Sequence, residues 1–494
     1  MKNKLQDVFK LSGVPEHNFV EPEEYDRIKV SIGTAGRSLI LEGPSGIGKT
    51  TSIKKALNDL NLSDSVRILS ARKRFDLQEI KETLNKEVFG IIVIDDFHRL
   101  DEKTKEEYAD LIKVLADEED EENKVIIIGI NKTSQPLLKI ASDLAGRIDI
   151  VKLRRNKDEK VSELIGLGEK SLNIKIPFKD AIVQSSEGSF QIAQILAHRS
   201  CLSAKILETQ DELTTIEIDF NRVKSEIFQD FSLGFFDLAK SFAIGQRVKK
   251  GSRAPYLHVL HWLSKAGEWS INIRDELVKH PKHKASVGQI IDRGHLHDHL
   301  ESKNQLKSII YYDDVSSILS IEDPKFFFFI KNLNWNDFAV RIGFSGLDFG
   351  YKYDFALSFA GAKRELAKEI FDILSESEIA VFYDFNEQHS ILAEKVEDYL
   401  SEIYSNESEF ILPILSTEYS SRVWCKFEAA NFQGRLSKNA VIPILFKDNY
   451  PGFFDSTSGI GSITVNEDLP VREQAAEICS VLIEKIHQSR RNKK

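Results

Sequence analysis

The sequence predicts a multidomain α/β protein: two parallel sheets, each wrapped by helices, with a helical stretch between them. Three observations predict it. From Ser38 to about Arg155, apolar strand-length runs (SLILEG, VRILSA, GIIVID, KVIIIGI) alternate with helix-like stretches, the habit of a parallel sheet covered on both faces. From about Asn156 to Gly245 apolar residues recur at three- and four-residue spacing, as at Ile192, Ile195 and Leu196, which is helical. From Tyr353 onward the alternation resumes in DFALSFA, AVFYD, EFILPILS and AVIPILF. At 494 residues the chain is too long for a single hydrophobic core.

The composition narrows the class. Hydrophobic content of 41% and charged content of 29% fit a globular chain in water. A net charge of -10 argues against a surface built throughout for nucleic acid, while leaving room for a local basic patch. Cys201, Cys425 and Cys479 are scattered, with no CxxC pair, which fits a reducing compartment. The start, MKNKLQDVFKLSG, lacks the apolar run of a signal peptide. The longest apolar runs, such as Phe326–Ile330, are strand-length and too short to span a bilayer. A cytoplasmic protein with no membrane partner is expected.

Four segments follow. Residues 1–155 form a helical lead-in and the first sheet; 156–245 form a helical lid. In 246–345 short helices precede an expected strand pair, IIYYDD and FFFFIK, the order of a helix-turn-helix with a wing. Gly343–Gly350 reads as a linker, and 346–494 carry the second sheet. His280, His283, His295, His297 and His299 raise a metal site, but no cysteine pair accompanies them and HLHDH alternates like an exposed loop or strand. Ordinary surface histidines are the expectation. Lys279, Lys282, Lys284 and Arg293 make the segment locally basic, so it either contacts duplex DNA or is a regulatory spacer packed on the first sheet.

The first sheet carries a phosphate-binding motif. Gly43-Pro-Ser45-Gly46-Ile-Gly48-Lys49-Thr50, followed by Thr51, is GxxxxGK[ST] between a strand and a helix. Its glycines let backbone N–H groups curl around phosphate oxygens. Lys49 neutralises the β- and γ-phosphates, and the Thr50 hydroxyl holds Mg²⁺ at the positive end of a helix. GIIVIDDFHRLD ends a buried strand in Asp95-Asp96, where such sheets bind ligands. Asp95 joins the Mg²⁺ shell. Asp96 stands where fast ATPases carry a longer Glu, so it is either a slow water-orienting base or a cap of the next helix. Asn131, closing KVIIIGINKT, is a candidate for polarising the attacking water. Arg147 is either an arginine finger for a neighbour or a surface ion-pair residue.

Together these residues resemble the AAA+/STAND family of P-loop ATPases, over about Arg37 to Gly343. The resemblance extends to a lid at SEGSFQIAQIL and a winged helix closed by SIEDPKFFFFIKN. It implies ATP or ADP as ligand, Mg²⁺, and oligomerisation on nucleotide exchange. Gln191 stands near the place where relatives carry a γ-phosphate-sensing arginine.

In the second α/β segment, Ser358-Phe359-Ala360 follows the first strand, Tyr383-Asp384 ends the second, and Trp424-x-x-x-Glu428 lies in STEYSSRVWCKFE. Trp424 and Glu428 share a helix face. On spacing alone Glu428 is an ordinary carboxylate of a helix N-terminus. The whole pattern resembles the TIR domain, a flavodoxin-like parallel-sheet fold, from about Tyr351 onward. The resemblance implies either a non-catalytic signalling scaffold or an enzyme that cleaves NAD⁺ to nicotinamide and ADP-ribose or a cyclised form. For the enzyme, Glu428 is catalytic and Phe359, Arg364, Tyr383, Asp384 and Trp424 line the NAD⁺ site. Breaking the nicotinamide–ribose bond builds positive charge on the ribose, which a neighbouring carboxylate stabilises. Relatives often carry an acidic-basic pair after the first strand; here Gly361-Ala362-Lys363-Arg364 retains only the arginine. A neighbour's loop, here Asn386–Leu392, completes such sites. The expected protein is an immune effector: a homo-oligomer through both modules, released by an unidentified trigger (a phage component, nucleic acid or partner protein). The rival readings are the TIR scaffold and a DNA-associated winged-helix ATPase.

Overall fold

The computed structural model describes residues 2–44, 46–129, 147–246, 249–344, 351–384, 396–419, 423–446 and 461–492. They form two compact units, one of residues 1–236, 308–311 and 321–332, the other of 237–307, 312–320 and 333–494.

In the first unit, β1 (Ser38–Glu42), β2 (Val66–Ser70), β3 (Ile91–Asp95), β4 (Lys124–Gly129) and β5 (Ile148–Lys152) form one sheet in the order β2-β3-β4-β1-β5. All its pairings are parallel. The strands alternate β-branched side chains between two cores, as a doubly covered sheet requires. Ile40, Ile92, Ile94 and Ile127 pack with Ile80, Tyr108 and Ile112 of helices Arg74–Thr83 and Glu102–Asp117. Leu39, Leu41, Val93 and Ile126 pack with Ile28, Ile53 and Leu57 of Tyr25–Gly33 and Lys49–Asp59. Asp101 starts the helix Glu102–Asp117 by accepting from the Thr104 N–H at 2.9 Å, an N-cap.

The segment expected as a lid is three helices, Asp158–Leu172, Lys179–Ser186 and Phe190–Ser203, with a two-stranded parallel pair of β6 (Ile174–Lys175) and β7 (Thr214–Thr215). The lead-in helix Leu5–Val8 belongs to the lid core. Gly168 permits this: a Cβ there would lie 2.2 Å from Phe9 Cζ.

One expected strand is a helix. FFFFIK lies in Pro324–Lys331, where Asp323 accepts from the Lys325 N–H at 2.8 Å and Pro324 occupies the first turn. Its phenylalanines are buried all round, with Phe328 in the lid core and Phe329 stacked on Phe228 at 5.4 Å. The strands among and after the short helices are β8 (Ser270–Asn272), β9 (Ile310–Asp313) and β10 (Ile318–Ile321), in the order β8-β10-β9.

In the second unit the short helices are Pro255–Lys265, Ile273–Lys279, Lys284–Asp292 and His295–Glu301. HLHDHL is thus also helical: Leu296, His299 and Leu300 are buried at helical spacing while His295 and His297 face solvent. His299 is an interior residue rather than the expected surface one, tilted against the Tyr256 ring at 5.1 Å. His258 and His283 rings lie 3.9 Å apart, and His280 stacks on Trp262 at 4.8 Å. Among the described residues no group of three His, Cys, Asp or Glu could hold a metal.

The second sheet comprises β11 (Tyr353–Phe359), β12 (Val381–Phe382), β13 (Ser408–Leu415), β14 (Ile444–Phe446) and β15 (Ile463–Val465), in the parallel order β12-β11-β13-β14-β15. Phe355, Leu357, Leu412 and Ile414 pack with Leu366 and Ile370 of Arg364–Glu376 and with Cys479 and Leu482 of Val471–Asn492. On the other face Ala356, Ile411 and Leu415 meet Ile403 and Tyr404 of a π-helical turn, Ile403–Glu407, and Cys425 and Ala429 of Val423–Phe432. Among the described residues no helix is long and apolar enough to cross a membrane.

Candidate functional site

The first site sits at the C-terminal ends of β1 and β3. Gly46 and Gly48 have φ of +71° and +108°, the left-handed backbone that bends the loop. Lys49 Nζ donates to the Gly43 and Pro44 carbonyls at 2.6 and 2.7 Å. Burial pushes its pKa down to about 8, opposed by the charges of Glu322 and Asp95. Thr50 Oγ1 donates to Asp95 Oδ2 at 2.8 Å. Burial, aided by the charge of Asp96, raises the Asp95 carboxyl above its ordinary range. A hydroxyl beside a carboxylate that lacks solvation is chemistry suited to a hard divalent cation. Asp96 is held by Arg72, with Nη2–Oδ1 and Nε–Oδ2 both at 2.7 Å.

Beside the loop lies a cavity of about 230 Å³, walled by Leu11, Val20, Leu164 and Phe190 and open to Gly46, Gly48 and Thr51. At its wall the buried amides of Asn18 and Gln194 bond each other reciprocally at 3.0 and 3.1 Å. An apolar slot running into a phosphate loop suits a flat base joined to phosphates.

The second site is built where β11 and β13 end. Glu428 lies on the helix Val423–Phe432, and Ser358 Oγ of β11 donates to its Oε2. Ser358 also hydrogen-bonds the Tyr419 hydroxyl. Tyr404 donates to the Leu357 carbonyl at 2.8 Å. Burial pushes the Glu428 pKa up to about 8, with the charge of Asp384 acting the same way and the Ser358 hydrogen bond opposing. Phe359 stacks on Tyr383 at 5.7 Å, Arg364 stands over the Phe359 ring at 5.4 Å, and Arg364 pairs with Asp384 at 3.6 Å. Two aromatics, a cation and two carboxyl groups are thus gathered at these strand ends.

Residues 355–479 match the TIR domain family, and residues 39–155 match the ATPase family associated with various cellular activities (AAA). The chain joins an AAA ATPase domain to a C-terminal TIR domain. A curated relative, the 3′ cyclic ADP-D-ribose synthase AaTIR of Aquimarina amphilecti, is 32% identical over 138 residues, 27% of this chain. The chain spans only 39% of that relative's length. Among solved structures, the Holliday junction branch migration motor RuvB of Thermotoga maritima is similar at 15% identity, over 61% of this chain and 92% of that one, with a TM-score of 0.34. The ORC2 protein of Aeropyrum pernix is similar at 12% identity, over 69% and 100%, with a TM-score of 0.36.

In the ATPase domain Gly43, Gly46, Gly48, Lys49, Thr50, Thr51, Asp95 and Asp96 converge. Ser45 and Asn131 lie outside the described residues. Arg147 pairs with Asp117 at 2.8 Å, at the N-terminal end of β5, opposite its own chain's P-loop. Arg72 and Glu322 were not foreseen, since neither belongs to a motif. Gln191 does reach the loop: its backbone N–H donates to the Gly46 carbonyl at 3.3 Å.

In the TIR domain Phe359, Arg364, Tyr383, Asp384 and Glu428 come together, and the arginine that had lost its usual acidic neighbour finds Asp384. Lys363 turns away to Glu467 at 3.8 Å. The Trp424 side chain and the loop Asn386–Leu392 lie outside the described residues. Ser358, Tyr404 and Tyr419 were not foreseen as site residues.

The start of β11 is held from outside the TIR domain. Arg253 is buried, and all five of its N–H donors are used: Nε and Nη2 on Asp354 at 2.9 and 3.0 Å, Nη1 on the Lys282 and Lys352 carbonyls and Nη2 on the Tyr351 carbonyl, each at 2.8 Å. Arg490 adds a bond to Asp354 Oδ1 at 2.7 Å, and the Ala380 N–H one to Oδ2 at 2.8 Å. One face of the helix Lys284–Asp292 joins in: Ala285 packs on the TIR core, Gln289 Nε2 donates to Ser375 Oγ at 3.1 Å, and Arg293 pairs with Asp372 at 3.5 Å.

Proposed function

We propose that the chain is a nucleotide-regulated NAD⁺ hydrolase, cleaving NAD⁺ to nicotinamide plus ADP-ribose or cyclic ADP-ribose, and that it acts as an immune effector in the cytoplasm. The observation that carries this is the Glu428 carboxyl, enclosed at the strand ends beside the Phe359–Arg364–Asp384 cluster. In the reaction the C1′–N1 bond to nicotinamide breaks and its electron pair leaves with the neutral base. The cationic ribose carbon is then captured by water, which releases a proton, or by a hydroxyl of the same molecule. Ionised Glu428 stabilises the ribose cation, and the cationic nicotinamide of the substrate favours that ionised form. Phe359 and Tyr383 offer flat surfaces to the ring, and Arg364 suits the pyrophosphate.

The ATPase domain supplies control. ATP or ADP occupies the slot and loop, Lys49 faces the phosphates, and Thr50 and Asp95 hold Mg²⁺, which neutralises phosphate charge when bound. Arg72 on Asp96 favours slow hydrolysis, hence a switch rather than a motor. Activation is assembly into a homo-oligomer after a trigger. The face of Lys284–Asp292 occupied by the TIR domain speaks against duplex DNA as a resident partner there.

The test is mass spectrometry of nucleotides after incubating the full chain with NAD⁺ and ATP, for wild type and Glu428→Ala. Loss of nicotinamide release in the variant, with assembly intact, is the expected result. An assembled wild-type protein that leaves NAD⁺ untouched would establish the scaffold instead.

A further inference from the structure

The Glu428 carboxyl does not stand alone. Two hydroxyls reach it or its partner, Ser358 from β11 and Tyr419 from the turn after β13, and a third, Tyr404 from the π-helical turn Ile403–Glu407, bonds the β11 backbone at Leu357. All three residues are almost wholly buried. Their hydrogen bonds can be assigned by counting protons. Each hydroxyl has one proton to give. Tyr404 gives its proton to the Leu357 carbonyl at 2.8 Å, so it is not the ready donor to Glu428. Ser358 gives its proton to Glu428 Oε2, so from Tyr419 it can only accept. The donors run one way, from Tyr419 to Ser358 and from Ser358 to Glu428, while the Tyr404 proton is committed to the Leu357 carbonyl. When Glu428 ionises, Ser358 already points a donor at it.

We propose that Ser358, backed by Tyr419, is the positioning residue of the TIR site: it holds one Glu428 oxygen in place and supplies the ready donor for the ionised carboxylate that faces the ribose. This rests on the NAD⁺-cleaving reading of the same site. Ser358 touches the carboxyl rather than the substrate, so its removal should change the protonation behaviour of the site and not only its speed. Losing a donor to the ionised form moves ionisation to higher pH.

The experiment measures kcat and KM for NAD⁺ from pH 5.5 to 9 on the assembled full chain, for wild type, Ser358→Ala, Ser358→Thr, Tyr419→Phe and Glu428→Ala. For Ser358→Ala, kcat falls by about tenfold or more at neutral pH, KM changes less than about threefold, and the rising limb of kcat/KM moves up by at least about half a pH unit. Ser358→Thr restores the limb. Tyr419→Phe, which removes one oxygen and keeps the ring, moves the limb the same way by a smaller amount and carries the test if the alanine variant does not fold. A loss of equal factor at every pH, or an unchanged profile in both Ser358→Ala and Tyr419→Phe, overturns the proposal. A fully active Glu428→Ala overturns instead the NAD⁺-cleaving assignment of Glu428, so the two failures are told apart.

Discussion

Replacing Arg253 with methionine should destabilise the TIR domain and its seat more than any surface change of the same size. The guanidinium is buried and saturated, with two bonds to Asp354 and three to backbone carbonyls. Methionine keeps much of the stem volume and removes all five donors. Asp354 then retains Arg490 and the Ala380 N–H, so it is not left alone. The carbonyls of Tyr351, Lys352 and Lys282 do lose these donors, at about 1 kcal/mol each. Breaking a buried pair costs about 3–5 kcal/mol, and the two routes agree on the lower part of that range. For a cooperative unit of this size the melting temperature falls by about 2–4 °C per kcal/mol, hence by roughly 6–20 °C. Scanning calorimetry on the full chain reads it, and hydrogen exchange at Ala380 localises it. Arg253→Lys should fall between the two, since an ammonium cannot serve five acceptors. A loss under about 1 kcal/mol, or a lysine variant as stable as wild type, would refute the reasoning. The cluster also has a pH signature. Burial alone would raise the Asp354 carboxyl, but the charges of Arg253 and Arg490 hold it below its ordinary range. Its contribution is therefore complete above about pH 4 and is lost as pH falls through the lower folded value. Arg253→Met should show a shallower acid limb than wild type.

Glu428 behaves in the opposite sense. Its folded pKa of about 8 lies above the unfolded value, so ionisation costs stability increasingly from about pH 4 to 8. Glu428→Gln should melt above wild type at pH 8 and coincide with it near pH 4; equal melting at both would show that the carboxyl is not desolvated. Lys49 sits near 8 and must be charged to hold phosphates, so ATP binding should take up a proton between pH 8 and 9. Calorimetry in buffers of different ionisation enthalpy detects the uptake, Lys49→Ala should lose ATP affinity by more than about tenfold, and buffer-independent heats would contradict the assignment. Arg72→Ala frees Asp96 from its bidentate hold and should raise basal ATP hydrolysis several-fold, read by phosphate release; an unchanged or lower rate would mean that Arg72 orients a working base.

Both sheets were legible because buried parallel strands are written as continuous apolar runs between turn signals. The P-loop was legible because phosphate binding needs glycines and a lysine at fixed spacing. FFFFIK was misread as a strand because a short run that is apolar on every side has no period to distinguish helix from strand. The deciding signal, Asp323-Pro324 as a helix start, was present. HLHDHL alternated by accident of composition, while Leu296, His299 and Leu300 already had helical spacing. At the proposed TIR site, Glu428 stands out in the sequence because its helix motif is local. Tyr404 does not, because it arrives from a π-helical turn that no local pattern announces. Arg253 had no signal either: its partner Asp354 lies 101 residues away, and a lone arginine looks the same whether buried or exposed.

Strand β11 connects the Arg253 cluster with the Glu428 site. Asp354 stands near its start and Ser358 near its end, four residues or roughly 13 Å apart along the strand. A direct mechanical route from the Arg253 clamp to the Glu428 site is therefore short, but β11 is a poor transmitter of bending. It is a central strand, paired to β13 from Tyr353 to Phe359 and to β12 on its other side. Deforming it enough to turn Ser358 would break ladder bonds on both edges. The clamp acts more economically on the TIR domain as a body. While Arg253, Gln289 and Arg293 hold Asp354, Ser375 and Asp372, that surface of the domain is committed to its own chain. Release would leave the Glu428–Ser358 geometry as it stands and change only what the domain is free to meet. The proposed control by assembly therefore needs no deformation of β11, whereas control by bending the strand would have to break its ladder.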